Sequence, residues 1–212
     1  MNKILGIIAG EGNMPIYIAR NAYQRGYEVV VLGMKGNARE ADYKEYCKTF
    51  KLVRLGQLNE GIEFFKEHGV TQVVMAGRVQ HTSIFSNFMP DKRALALLTS
   101  LKSMQANHIL SRLIEEFAKE GIQFQNSALF LDEFFPSKGV LSTRKPTAQE
   151  QQTIDYGFGI AKQIAALDIG LTCVVSQQAV IAVEGWKEQI VVLHAPANCI
   201  KKRLKKSPPS LS

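Results

Sequence analysis

The apolar positions along this chain switch repeatedly between the strand period and the helix period. Lys3 to Ala9 is a short apolar run ending at glycine, which predicts a buried strand. After Gly10–Glu11–Gly12–Asn13–Met14–Pro15, the residues Ile16, Ile18, Ala19, Ala22 and Tyr23 recur at helical spacing. Pro15 suits a first helical turn and Gly26 a C-terminal stop. Strands are predicted over Glu28–Leu32, Phe50–Leu55, Thr71–Ala76 and Ile122–Gln125. Helices are predicted over Gln57–His68, Asp91–Lys102 and Asn107–Glu120, with glycine stops at Gly69 and Gly121. Lys35 to Cys47 is polar and irregular.

Strands alternating with helices imply βαβ units and a helix-covered, mostly parallel sheet. The fold class is therefore α/β, with a Rossmann-like N-terminal domain over residues 1–134. Residues 135–146 hold Pro136, Gly139 and Pro146 and read as a linker. Thr147 to Ala166 is helical, with Thr147 and Glu150 spaced as a capping box. Leu171–Ser176 and Ala179–Glu184 are β-rich runs separated by Gln177–Gln178, a hairpin pattern. Residues 147–185 thus read as the start of a smaller α/β C-terminal domain, too short to bury much core.

The composition is 46% hydrophobic and 21% charged, an ordinary globular balance that excludes collagen-like and disordered classes. The net charge of +7 is a polyanion signal only if it sits on the folded body. It does not: residues 1–185 carry +2 and residues 186–212 carry +5. A nucleic-acid partner is therefore not expected. The run Lys201–Lys206 reads either as an anionic-lipid or nucleic-acid patch or as a solvated tail ending in Ser207–Pro208–Pro209. No stretch approaches the roughly 20 apolar residues of a membrane span. Cys47, Cys173 and Cys199 are odd in number and far apart, which fits a reducing compartment. The histidines are scattered, so no compact Cys/His metal site is expected.

The loop Gly10–Pro15 has two readings. It can present backbone N–H groups to a phosphate at a helix N-terminus, or it can be a tight turn that needs positive φ at glycine. It is not the full G-x-G-x-x-G, and Glu11 puts a negative charge where a pyrophosphate would sit. Gly77 and Arg78 follow the fourth strand and should face the same crevice, with Arg78 able to grip phosphate bidentately. An NAD-dependent oxidoreductase would carry an acidic residue near the end of the second strand. Leu32–Gly33 stands there instead.

These segments resemble a known family. Gly6–Ile7–Ile8–Ala9–Gly10, then Gly12, then Met14–Pro15, is similar to the opening of the LpxI-type UDP-2,3-diacylglucosamine pyrophosphatases. Leu55–Gly56–Gln57–Leu58, Val74–Met75–Ala76–Gly77 and Met89–Pro90–Asp91 resemble its next segments. Asp155–Tyr156–Gly157–Phe158–Gly159–Ile160–Ala161, Leu167–Asp168–Ile169–Gly170 and Ala182–Val183–Glu184 resemble its second-domain start. The resemblance implies hydrolysis of UDP-2,3-diacylglucosamine to UMP and 2,3-diacylglucosamine 1-phosphate in lipid A biosynthesis, with Mg²⁺ and with substrate between two domains. It places Gly12, Asn13, Gly77, Arg78, Asp168, Gly170 and Thr172 against the substrate and leaves catalytic and metal ligands unassigned. It also implies a cytoplasmic protein of a Gram-negative bacterium, peripheral to the inner membrane and open to homodimer formation. A non-catalytic, nucleotide-binding Rossmann-like module is the competing reading. Glu11, Gln105–Ala106–Asn107 and Leu171 depart from the usual glycine, Gly-Asp-Asp and glutamine of the family.

The resemblance stops after Gly185. The family continues into E-G-T-D, whereas this chain reads Trp186–Lys187–Glu188–Gln189–Ile190. Met-Glu-Gly-Thr-Asp written ATG GAA GGA ACA GAT reads Trp-Lys-Glu-Gln-Ile once its first base is dropped. Val191 and Val192 supply GT pairs that restore Arg and Cys codons, and Leu193 to Pro196 are compatible with the family's I-x-R-A. The expectation is that residues 186–212 are out-of-frame translation, that the catalytic domain is truncated, and that the 212-residue chain releases no measurable UMP.

Overall fold

The structure is a computed structural model that describes residues 3–78, 88–101, 106–167 and 169–184. The basic tail, 186–212, lies outside the described residues. The chain divides into two compact units, Met1–Ser137 and Lys138 onward.

In the first unit, five parallel strands stand in the order β3-β2-β1-β4-β5. They are β1 (Lys3–Ala9), β2 (Tyr27–Met34), β3 (Thr49–Val53), β4 (Gln72–Ala76) and β5 (Gln123–Phe124). The helices are α1 (Met14–Gln24), α2 (Leu58–Glu67), α3 (Lys92–Thr99) and α4 (Ala106–Lys119). This is the doubly wound α/β fold that the alternating pattern predicts. Continuous apolar strands are required because both sheet faces are covered. The period of two then divides each run: Leu5, Ile7, Val29 and Val31 join one core cluster, while Ile8, Val30 and Leu32 join the other. The first cluster lies with α1 residues Ile18, Ala19 and Ala22, the second with α2 residues Ile62, Phe64 and Phe65.

Two segments differ from the sequence-based expectation. Lys35–Cys47 is not merely irregular: it carries a 3-10 turn at Glu40–Asp42, followed by Tyr43, which is 1% exposed and belongs to the core. Burial pushes the Tyr43 phenol up to about 12. Residues before the linker also fold, as 3-10 turns Ser127–Phe130 and Asp132–Phe134. They strap onto α1: Asn21 Nδ2 donates to the Phe130 carbonyl at 2.8 Å, and Arg25 pairs with Asp132 at 2.8 Å.

Two of the family-like motifs have a structural purpose. Met89 N–H donates to the Leu55 carbonyl, and Asp91 N–H to the Gly56 carbonyl. The Asp91 carboxylate then accepts from Ala94 N at 2.8 Å and from Asn59 N at 2.6 Å, so one side chain caps both α3 and α2. Asp91→Ala is expected to lower stability by about 1–3 kcal/mol, more than a single cap, measured by the urea midpoint. A loss no larger than that of an ordinary surface substitution would remove the double-cap assignment. Arg93 adds ion pairs to Glu116 and Glu120, and Lys66 a further one to Glu120, linking α2, α3 and α4.

The second unit holds α5 (Ala148–Ala166) and an antiparallel hairpin, β6 (Thr172–Ser176) and β7 (Ala179–Glu184). The predicted capping box is present: Glu150 N donates to Thr147 Oγ1 at 3.2 Å, and Thr147 N to Glu150 Oε2 at 2.8 Å. Gln177 and Gln178 both take positive φ, 46° and 60°, the requirement of a two-residue hairpin turn. Gly157 sits under the hairpin, where an added Cβ would lie 2.7 Å from Val175 Cγ2. Phe158, Leu171 and Ile181 remain exposed, as expected of a helix and two strands with little core.

Arg144 grips Glu150 with two bonds, 2.7 and 2.8 Å, and with the cap bonds holds its carboxyl at about 2, below the usual 4.5. The carboxylate's contribution is therefore present above pH 4.5 and is lost as pH falls through about 2. Amide protection factors at the start of α5, taken relative to the intrinsic exchange rate at each pH, should fall over that acid range in the parent protein. In Glu150→Gln they should already be low at pH 7 and show no such step.

Candidate functional site

β1 ends in Gly10–Glu11–Gly12–Asn13 and β4 ends in Gly77–Arg78, on either side of the point where strand order reverses. In a doubly wound sheet this is where ligands enter. Here the two loops bond to each other. Glu11 N donates to the Arg78 carbonyl at 2.7 Å and Arg78 N to the Glu11 carbonyl at 2.9 Å, an isolated antiparallel bridge. The approach requires glycine on both sides. A Cβ on Gly10 would lie 2.7 Å from the Arg78 carbonyl oxygen, and Gly77 has φ +89° with its Cβ position 2.7 Å from the Gly10 carbonyl carbon. The Arg78 guanidinium stands 3.4 Å from the Glu11 carboxylate. The loop's negative charge is thereby offset locally.

The open cleft lies on the β2 side. It encloses about 620 Å³, between Gly10–Asn13 and Ile16 on one wall and Gly36–Arg39, Asp42 and Tyr43 on the other. Gly12 has φ +104°, and nothing lies within 4 Å of where its Cβ would be, so its backbone is bare toward solvent. Asn13 precedes α1 and makes no capping bond with its side chain, and the first turn of α1 has no acidic residue. The N-terminus of α1 therefore keeps its preference for anions, about 0.3–1 kcal/mol at an exposed site. On the facing wall Arg39 holds Asp42 with two bonds of 3.1 and 3.0 Å. The Asn37 Nδ2 atom is buried and has no hydrogen-bond partner, one of two such side-chain atoms among the described residues.

Of the residues nominated from sequence, Gly12 and Asn13 line this cleft. Gly77 and Arg78 form the adjoining bridge. Gly170 and Thr172 belong to the second unit, at the entry to β6, where Leu171 N donates to Glu184 Oε2 at 3.2 Å. Asp168 lies outside the described residues. The pattern reading missed Asn37, Arg39, Asp42 and Tyr43. The signal was available: the dipeptide Gly-Asn occurs at the carboxyl end of β1, as Gly12–Asn13, and again just past β2, as Gly36–Asn37.

Among the described residues no three His, Cys, Asp or Glu side chains come together as a metal cage. The carboxylates of the cleft, Glu11 and Asp42, each face an arginine. No described helix is long and apolar enough to cross a membrane.

A parallel sheet of order 3-2-1-4-5, with a glycine loop opening α1 and a cleft at its strand ends, defines a Rossmann-like α/β protein. The family model described as the LpxI N-terminal domain matches residues 4–134, and that of the LpxI C-terminal domain matches residues 137–189. The chain belongs to the LpxI family. It is 30% identical over 197 residues to the UDP-2,3-diacylglucosamine pyrophosphatase LpxI of Caulobacter vibrioides, covering 92% of this chain and 69% of that protein. Among solved structures it is similar to a UDP-glucose 4-epimerase of Thermotoga maritima with UDP-glucose, at 15% identity and TM-score 0.39, over 57% of this chain and 36% of that one. A UDP-glucose-4-epimerase of Stenotrophomonas maltophila with bound NAD and formylated UDP-arabinopyranose is 14% identical at TM-score 0.39, over 78% and 49%. The chain thus spans less than half the length of either epimerase.

Proposed function

We propose that this protein derives from a hydrolase that splits the pyrophosphate of UDP-2,3-diacylglucosamine. Water adds to one phosphorus, the bridging P–O bond breaks, and the products are UMP and 2,3-diacylglucosamine 1-phosphate. The observation that carries the reading is the match to both LpxI domains, together with the relative named for that activity. Gly12, Asn13, Gly77, Arg78, Asp168, Gly170 and Thr172 are the substrate-facing residues in this reading. Bare backbone at Gly12 and the α1 N-terminus suit a phosphate. Mg²⁺ enters the reading only as the companion of the pyrophosphate, since the described carboxylates form no cage for it. A diacylated substrate fits work at the cytoplasmic face of the inner membrane, with peripheral contact to it, and the reading leaves a homodimer open.

The codon match over residues 186–196 favours a second element of this reading. The 212-residue chain keeps a nucleotide-binding unit and has lost the frame that encodes the catalytic groups. One pair of assays tests both elements. The gene restored to the neighbouring frame is expected to yield a protein that releases UMP from UDP-2,3-diacylglucosamine. The chain as it stands is expected to release none measurable. Absence of release from both would overturn the hydrolase reading, and normal turnover by the 212-residue chain would overturn the frame reading.

A further inference from the structure

We propose that Met89 is an oxidation site whose sulfoxide oxygen is received by the Arg54 guanidinium, so that oxidation tightens the junction between the end of β3 and the start of α3. The inference stands apart from the hydrolase reading and uses only residues of the β3–α2 turn and the α3 cap. Met89 is 54% exposed, so its thioether is open to small oxidants. Arg54 Nη1 lies 2.8 Å from the Met89 Sδ atom. Among the described residues this is the guanidinium's one hydrogen bond, and no carboxylate pairs with it. A thioether sulfur is a weak acceptor for so strong a donor.

Oxidation supplies a better acceptor at the same place. The sulfur lone pair takes one oxygen from a peroxide: the S–O bond forms and the O–O bond breaks. The proton on the transferred oxygen passes to the departing hydroxide, which leaves as water. Sulfur loses two electrons and the peroxide gains them. The sulfoxide oxygen is a polar acceptor, and hydrogen bonds with an ionised donor are roughly twice as strong as neutral ones. The backbone around the pair is already fixed. Met89 N–H donates to the Leu55 carbonyl at 2.9 Å and Asp91 N–H to the Gly56 carbonyl at 3.0 Å. Arg54 N donates to Gln57 Oε1 at 2.7 Å. A Cβ on Gly56 would lie 2.9 Å from Pro90 Cα, so the two segments touch along their backbones. The new bond therefore adds a side-chain link to segments already in register.

The other described methionines lack this arrangement. Met34 and Met75 are partly buried and pack on a core cluster, where a sulfoxide would place a polar oxygen among apolar side chains. Met14 is 48% exposed but has no hydrogen bond to its sulfur among the described residues. It serves as the internal comparison.

The test treats the full chain with limiting hydrogen peroxide. Peptide mass spectrometry reads sulfoxide at each methionine, and nuclear magnetic resonance reads amide exchange relative to the intrinsic rate. Met89 and Met14 are expected to be oxidised before Met34 and Met75. Exchange at Met89 and Asp91 should slow by roughly fivefold on oxidation. Arg54→Ala should keep the order of oxidation and lose the slowing, while Arg54→Lys, which keeps a charged donor, should retain part of it. Met89→Leu, of similar volume, should show no change at Asp91 on the same treatment. Oxidation of Met34 or Met75 as fast as Met89 would overturn the proposal. So would unchanged or faster exchange at Asp91 in the oxidised parent, or a slowing that persists in Arg54→Ala or in Met89→Leu.

Discussion

Phe65→Ala is expected to destabilise the N-terminal unit by about 3–5 kcal/mol, the usual cost of removing a fully buried ring. Phe65 is completely buried on α2 and packs 6.4 Å, centroid to centroid, from Phe117 on α4. Its Cε1 atom lies 2.9 Å from where a Cβ on Gly6 would be, so the ring fills the space that glycine leaves on the central strand. Truncation would leave a cavity against β1 that neither the sheet nor its backbone can close. Domains of this size are stable by about 5–15 kcal/mol, so the loss is a large fraction of the total. The urea midpoint of the unit, followed by circular dichroism, measures it. A shift equivalent to less than about 1 kcal/mol, the scale of a surface change, would contradict this packing. Gly6→Ala tests the same seat from the other side, since its Cβ would also meet Val70 and Val73 at 2.8 Å.

The second large effect is expected at the loop bridge. Gly77→Ala would impose roughly 1–3 kcal/mol of backbone strain at φ +89°, and overpacking typically costs about 1–3 kcal/mol more. The nearest neighbours are backbone atoms of Gly10 and Glu11, which cannot swing aside as the end of a side chain can. The chain would have to separate the Glu11–Arg78 bridge and lose its two backbone hydrogen bonds. Stability should therefore fall, and amide exchange at Glu11 and Arg78 should quicken more than at β2 or β3. Arg78→Ala serves as the contrast. It removes the exposed guanidinium that stands 3.4 Å from Glu11, an ion pair worth about 0–1 kcal/mol, and keeps the backbone bridge. If both variants behave alike, the bridge is held by the ion pair and not by the glycine backbone.

The cleft at the β1 and β2 loops belongs to the first unit alone, whereas phosphoryl chemistry needs charge neutralisation and a positioned water. Binding and turnover are thus separable measurements in this chain. Most of the net charge of +7 falls on residues 186–212, which lie outside the described residues.

The order of elements was legible in the sequence because local rules decide it. Apolar runs closed by glycine place β1 and β4, helical spacing between Pro15 and Gly26 places α1, and Thr147 with Glu150 starts α5. Each depends on neighbours within one or two turns of chain. The alternation of strand and helix then restricts the first unit to a parallel sheet. The burial of Tyr43 and the strap from Ser127 to Phe134 were not legible, because their partners on α1 and the sheet are distant in sequence and their turns are too short to show a period. The site divides in the same way. Gly12 and Asn13 stand out as a loop between strand and helix, and their position just past the fourth strand marks Gly77 and Arg78 as neighbours. Only the tertiary structure decided that Glu11 and Arg78 close the crevice on one side of β1. It likewise turned the open side toward Asn37, Arg39 and Asp42. The physical reason is that hydrophobic period and turn chemistry act along the chain. Which of two neighbouring loops bonds to the other is settled across the sheet, by glycine backbones that can approach to hydrogen-bonding distance.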